Sequence, residues 1–213
     1  MKRLICFFLC LLLVIPVASA EQTEAPFVLH ITTSFGEIGE ELVVKGVVEN
    51  APNCASYRVI FTYDPTLLEP VSAKNMDPKG MGIANCKSRW PQSDPNGVPA
   101  VNCLAADANF SVGGDMTLFQ VTFKVLAPAK NGSTPLTLRH YEFFDNTVGH
   151  PAPQVPDTVR VGSVYTSTLP EATLLLQQLA GYTQTLYPAD SDRNGDRSLS
   201  IADVVLCLRE LAA

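Results

Sequence analysis

The chain has 213 residues, a formal net charge of −6 and six cysteines. At roughly 100–200 residues per domain, that length allows one domain, or one with a small appendage, and excludes a large multidomain enzyme. The acidic balance argues against nucleic acid and against an anionic membrane surface, both of which call for basic patches.

Lys2 and Arg3 open the chain, Ile5 to Val14 is almost wholly apolar, and Ala18-Ser19-Ala20 ends the segment with small residues. That layout predicts a secretory signal peptide over 1–20, cut before Glu21, and a secreted, extracellular protein. The apolar run falls short of the about 20 residues a membrane span needs, and no other stretch comes close. Without residues 1–20 the chain keeps 13 basic against 21 acidic side chains, and four cysteines. A chain this long builds its own core and does not depend on a disulfide scaffold.

Glu21 to Pro26 reads as a polar leader. From Phe27 to Val164, short β-type runs are broken by Gly, Pro, Asn and Asp. The pattern predicts strands near 27–33, 41–49, 55–63, 67–73, 82–90, 98–105, 116–126, 135–144 and 157–164. Val43-Val44, Val47-Val48 and Tyr57 to Tyr63 supply the β-branched and aromatic enrichment. Phe119, Val121, Phe123 and Val125 alternate with Gln120, Thr122 and Lys124, which predicts a half-buried strand. Asp64-Pro65, Asp94-Pro95-Asn96-Gly97, Gly113-Gly114 and Asn131-Gly132 supply the turns. About nine strands with no long helix predict a mainly β fold, a sandwich or jelly roll.

The composition changes near residue 166. Thr168-Leu-Pro-Glu171 reads as a capping box before a Leu-rich helix, Ala172 to Ala180, and a second helix runs from Ile201 to Ala212. The two segments resemble each other at an offset of 32 residues, with Leu174/Leu206, Leu176/Leu208 and Leu179/Leu211 identical. Two such helices can bury their apolar stripes against each other.

The stretch before the second helix carries the chemistry. Asp190 to Asp203 presents oxygen ligands at alternating positions and an acid at the end, a pattern that suits calcium. A loop starting at Asp190 puts Gly195 at the sixth position, where the chain must turn sharply, but Ile201 at the twelfth. A loop starting at Asp192 gives Asp192, Asn194 and Asp196 at one, three and five, the Ser198 carbonyl at seven, Ser200 at nine and Asp203 at twelve. Its defect is Arg197 at the glycine position. The second register is preferred, because it keeps the closing acid and an apolar Leu199. It predicts one Ca²⁺ site; the competing reading is a solvated turn followed by a helix cap. The equivalent window before the first helix has Arg160, Gly162 and Val164 at the first three ligand positions and cannot bind in this way.

Asp192 to Leu206 resembles the loop–helix repeat of a dockerin, the paired calcium module that plugs enzymes into cellulosome-type scaffolds. The sandwich resembles the partner family, the cohesins. The residues that carry this are Phe35-Gly-Glu-Ile-Gly-Glu-Glu-Leu-Val-Val, then Tyr57 to Glu69 with Tyr63-Asp64-Pro65, then Leu118 to Val125 and Val161 to Val164. The resemblance implies a nine-stranded jelly-roll β-sandwich over 27–164 and a small two-helix dockerin-like module over 165–213. It also implies a non-catalytic protein that mediates calcium-assisted assembly in extracellular polysaccharide breakdown. In many cohesins the strand before Tyr-Asp-Pro carries a small polar and an acidic residue that meet the dockerin; Ser56 and Arg58 stand there in this chain. The partner is then a cohesin- or dockerin-type protein, or the chain's own other module. The rival expectation is a carbohydrate-binding module, with Trp90 and Tyr57 as stacking aromatics.

No Gly-x-Ser-x-Gly elbow, phosphate loop or paired Cys–His set is present, and His30, His140 and His150 lack metal-ligand spacing. Cys86 and Cys103 flank the Asp94–Gly97 turn and could face each other across a hairpin, while Cys207 reads as core.

Overall fold

The structure is a computed structural model that describes residues 25–77, 82–106, 112–145, 147, 150–167, 169–182 and 186–212. The expected signal peptide and Thr168 lie outside the described residues. Thirteen strands form among the described ones. They are β1 (Val28–Ile31), β2 (Ser34–Phe35), β3 (Glu41–Cys54), β4 (Ser56–Thr62), β5 (Leu68–Asn75), β6 (Ile83–Trp90) and β7 (Val98–Ala106), followed by β8 (Val112–Val125), β9 (Ser133–Pro135), β10 (Thr137–Phe144), β11 (Pro153–Gln154), β12 (Thr158–Val161) and β13 (Ser163–Tyr165). The count exceeds the expected nine because β2, β9, β11 and β13 are two or three residues long. Such pieces exist only through pairing with a neighbour, and periodicity does not register them.

The strands make a five-stranded sheet in the order β12-β1-β3-β8-β5, a second in the order β11-β10-β4-β7-β6, and a small third sheet, β2-β13-β9. Two parallel pairings, β1 with β12 and β2 with β13, close one edge. The two large sheets face each other across a core that includes Phe61, Phe119, Phe123 and Phe143. Phe61 stacks on Phe119 at 6.0 Å. Tyr57 is buried, and its hydroxyl donates to the Leu118 carbonyl at 2.9 Å. It is therefore a core residue and not the sugar-stacking aromatic of the rival expectation.

In β8 the alternation puts Phe119, Val121, Phe123 and Val125 inward, and an irregularity opposite Gly46/Val47 buries Leu118 as well. Gly46 makes room for Phe119: a Cβ there would stand 2.2 Å from the ring. Gly46→Ala is expected to cost about 1–3 kcal/mol through overpacking, read as a fall in melting temperature of about 2–4 °C per kcal/mol. An unchanged melting curve would show that the ring has room to shift.

The four described cysteines are free and buried. The register sets Cys103 opposite Ala84, not Cys86, and the pairing is irregular between Asn85 and Ser88, so the expected hairpin disulfide does not form. Burial pushes the Cys54 and Cys207 thiols up to about 11 and raises Cys103 as well, so these groups are protonated at neutral pH.

Three helices follow: α1 (Leu169–Leu179), α2 (Pro188–Ser191) and α3 (Ile201–Leu211). The single-turn α2 was not expected. Leu175 of α1, Leu186 and Val204 of α3 form a second, small core. Among the described residues no helix is long and apolar enough to cross a membrane.

Candidate functional site

The loop between α2 and α3 is organised by its own carboxylates. Asp192 Oδ1 accepts from the Gly195 and Asp196 amides at 2.7 and 3.2 Å, and Oδ2 from the Arg197 amide at 2.7 Å. Asn194 Oδ1 accepts from the Asp196 amide, and its Nδ2 donates to Asp196 Oδ2, both at 2.9 Å. Asp196 Oδ1 accepts from the amide and hydroxyl of Ser198 at 2.8 and 2.7 Å. The Ser198 hydroxyl and the Asn194 amide, then the Ser198 N–H, hold Asp196 below the usual carboxylate range. Gly195 and Arg197 have φ of +76° and +67°. Arg197 thus adopts the left-handed conformation for which a sixth-position glycine is normally required.

Ser200 is the N-cap of α3: its Oγ accepts from the Ala202 amide at 3.2 Å, and Asp203 Oδ2 reaches back to the Ser200 amide at 2.8 Å. Asp203 Oδ1 accepts from the amides of Arg193 and Asn194 at 2.9 and 3.3 Å. Asp203 is fully buried. Burial alone would raise its pKa, but the N–H groups of Ser200, Arg193 and Asn194 outweigh it and hold the group below its ordinary value.

Asp192, Asn194, Asp196, the Ser198 carbonyl and Ser200 are all hard oxygen donors, which suits calcium. Among the described residues no three His, Cys, Asp or Glu side chains converge on one point. Asp203 could join only by sharing oxygens that already accept N–H groups, which two lone pairs per oxygen permit.

Asp190 turns away from this loop. Its carboxylate is buried against the sandwich, where Oδ1 accepts from the Thr33 amide at 2.6 Å and lies 3.3 Å from His30 Nε2. Its Oδ2 accepts from the Tyr187 amide at 2.7 Å. A register that starts at Asp190 therefore loses its first ligand. The Tyr187 ring meets His30 edge-on at 5.1 Å, and the Arg160 guanidinium lies over it at 4.0 Å. The helix pair is thus docked on β1 and β12 of its own chain.

Glu171 holds the module together from inside. It is buried, accepts from the Ser191 hydroxyl at 2.6 Å, and makes a two-pronged pair with Arg193, whose Nε lies 3.0 Å from Oε1. Arg193 also pairs with Glu210 of α3. The expected capping box pairs Glu171 with Thr168, which lies outside the described residues; the oxygens of Glu171 also reach the loop. His30, which lacks metal-ligand spacing in the sequence, is a structural histidine whose partner on the helical module the sequence does not announce.

The second sheet presents a different surface. Arg58, Ile60 and Thr62 of β4 point away from the core formed by Tyr57, Val59 and Phe61; Ile60 and Thr62 are themselves buried, and Arg58 is half-buried. Arg58 donates to Asn102 and Gln92, and Glu142 lies opposite it on β10. His140 sits 3.4 Å from Glu142 and stacks with Trp90 at 6.2 Å. Arg139 Nε donates to Thr62 at 3.0 Å. The result is a polar sheet face with two guanidinium groups, one indole and one carboxylate.

Comparison with known proteins gives a match to the family model described as cohesin domain over residues 27–161. A non-cellulosomal cohesin from the hyperthermophilic archaeon Archaeoglobus fulgidus superposes with a TM-score of 0.53 at 20% identity, over 70% of this chain and 97% of its own. A type I cohesin from Pseudobacteroides cellulosolvens gives 0.52 at 19%, over 65% of this chain and 90% of its own. A chain of a type I cohesin–dockerin complex from Clostridium thermocellum gives 0.52 at 15%, over 68% of this chain and 96% of its own. At these identities the likeness is one of fold. A search of curated proteins gives no match.

Proposed function

The chain belongs to the cohesin family, and from that premise we propose that its sandwich is the receptor half of a secreted protein–protein assembly. Cohesin domains are non-catalytic modules that bind dockerin partners and mediate assembly in cellulosome-like systems. The observation that carries the reading here is the Arg58 face. The helix pair occupies β1 and β12 of the other sheet, so the outer face of the second sheet keeps Arg58 of β4, Arg139 of β10 and Trp90 of β6 for a partner. Arg58 stands where many cohesins carry an acid, so the partner best suited to this face presents carboxylates. Extracellular polysaccharide breakdown is the setting that this reading implies. Pull-down from the secreted fraction of the source organism tests it. Wild type should retain a partner that Arg58→Glu loses, with the expected loss above tenfold; equal capture by both would sink the assignment of this face.

The Asp192–Asp203 loop is the proposed site of one Ca²⁺, held by Asp192, Asn194, Asp196, the Ser198 carbonyl, Ser200 and Asp203. Bound there, the ion would neutralise the clustered carboxylates and fix the entry of α3. Calcium at a hundred times its Kd should add about 2.7 kcal/mol of stability. Asp196→Ala, an exposed position, should abolish the rise in melting temperature that calcium gives, read against the variant's own calcium-free melting temperature. Titration without heat or stabilisation in the wild type would remove the metal from this reading.

A further inference from the structure

Among the described residues two that are not glycine have positive φ, Asn50 at +50° and Arg197 at +67°. Both line one cleft of about 650 Å³ between the outer face of the first sheet and the helical module. Asn50 comes from β3 and Arg197 from the loop before α3, so the two conformations arise independently. Left-handed backbone at a residue other than glycine persists where the surrounding structure forces it, and it clusters at binding sites. Arg197 is the sharper case, because asparagine visits this region readily and arginine does not. The cleft lies within the about 300–1,000 Å³ usual for small-molecule sites, which favour the seam between two modules.

The lining sets the chemistry. Glu49 and Asp115 of the sandwich are balanced by Arg160 and Arg197, so the cleft suits an uncharged ligand. Arg160 Nη1 lies 3.3 Å from Glu49, and its guanidinium covers the Tyr187 ring at 4.0 Å. Asp115 Oδ1 accepts from the Asn50 amide at 2.9 Å, which ties the left-handed residue to the carboxylate. An ionised carboxylate only accepts hydrogen bonds, and a guanidinium only donates them. The neutral group that serves both is a hydroxyl, which donates and accepts. Val47 and Met116 add apolar surface for the C–H face of a ring. We infer that this cleft binds a neutral saccharide of two or three rings, its hydroxyls shared between Asp115 and Arg197. The site lies on the first sheet and the Arg58 face on the second, so it stands whether or not that face receives a protein.

Amide NMR spectra of the protein in calcium, titrated in turn with cellotriose, xylotriose, mannotriose and galactotriose, test it, with triglycine as the charged comparison. At least one saccharide should shift the Asn50, Asp115 and Arg197 amides saturably. Two variants alter one wall each. Arg197→Gly places glycine at a positive φ, so the loop backbone is kept and the melting temperature should stay close to that of wild type. Asp115→Asn keeps an acceptor oxygen for the Asn50 amide. Each should weaken saccharide binding by about tenfold or more, whereas a purely structural role for either side chain would leave binding unchanged. The inference is overturned if no saccharide binds saturably, if Arg197→Gly or Asp115→Asn binds as tightly as wild type, or if triglycine binds in place of the saccharides.

Discussion

Asp190→Ala is expected to split the single unfolding transition of the chain into two and to free the helix pair from the sandwich. The carboxylate is removed from water and serves three donors at once: the Thr33 amide, the Tyr187 amide and His30 Nε2. Among the described residues His30 Nδ1 has no hydrogen-bond partner, and Asp190 is the polar contact of the other ring nitrogen. Truncation strands all three donors in a site that excludes solvent. Each buried donor left without its acceptor costs about 1–3 kcal/mol, enough in sum to detach a module whose own core is small. Asp190→Asn retains an acceptor oxygen and should fall between wild type and Ala. Limited proteolysis between Thr166 and the start of α1, together with hydrogen exchange in α1 and α3, reads the release directly. One transition at the wild-type midpoint would show that the docking adds nothing to stability.

That contact also shows where sequence reasoning stops. The strands of the sandwich were legible because alternation is a property of neighbours: Phe119, Val121, Phe123 and Val125 announce their face within seven residues. The Thr33–Asp190 bond joins residues 157 positions apart. Nothing local marks Asp190 as a docking residue; its place in an acidic run offers it only as the start of the calcium-loop register that is set aside. The same limit explains Glu171, which reads locally as an N-terminal cap and whose reach of 22 residues to Arg193 no local pattern announces. Arg197 errs the other way. Residue preference makes it a poor sixth position, yet the loop holds it at φ +67° because Asp192 accepts its amide from one side and those of Gly195 and Asp196 from the other. Left-handed backbone costs a non-glycine residue of order 1 kcal/mol, which two or three charge-assisted hydrogen bonds offset. The Arg58 face was half legible. Its position on β4 follows from the resemblance, but its surroundings, Glu142 across the strand and Trp90 on His140, depend on pairings far apart in the chain.

Asp203 carries the largest expected effect on the second helix, and the effect does not depend on calcium. Its two oxygens satisfy the Arg193, Asn194 and Ser200 amides and the Ser200 hydroxyl, all from a fully buried position. Asp203→Ala removes the capping box of α3 and the tie between the helix and the start of the loop. Loss of the cap costs about 0.5–2 kcal/mol, and the part-buried amides of Arg193 and Asn194 lose their acceptor as well, at up to about 1–3 kcal/mol each where water does not replace it. Unfolding of α3 at room temperature is therefore expected even in chelator, which makes Asp203→Ala unfit as a test of the metal and leaves Asp196→Ala to that purpose. The pH dependence separates the two roles. A folded-state pKa below the unfolded value of about 3.9 contributes stability that is fully present above about pH 4 and lost as pH falls through the folded value. Wild type should therefore lose helix stability on acidification below about pH 4, even in chelator. Asp203→Asn, which cannot titrate, should be weaker at neutral pH and flatter over the same range. Circular dichroism at 222 nm against pH, in chelator, measures both curves; parallel acid limbs would show that the carboxylate is not what caps α3.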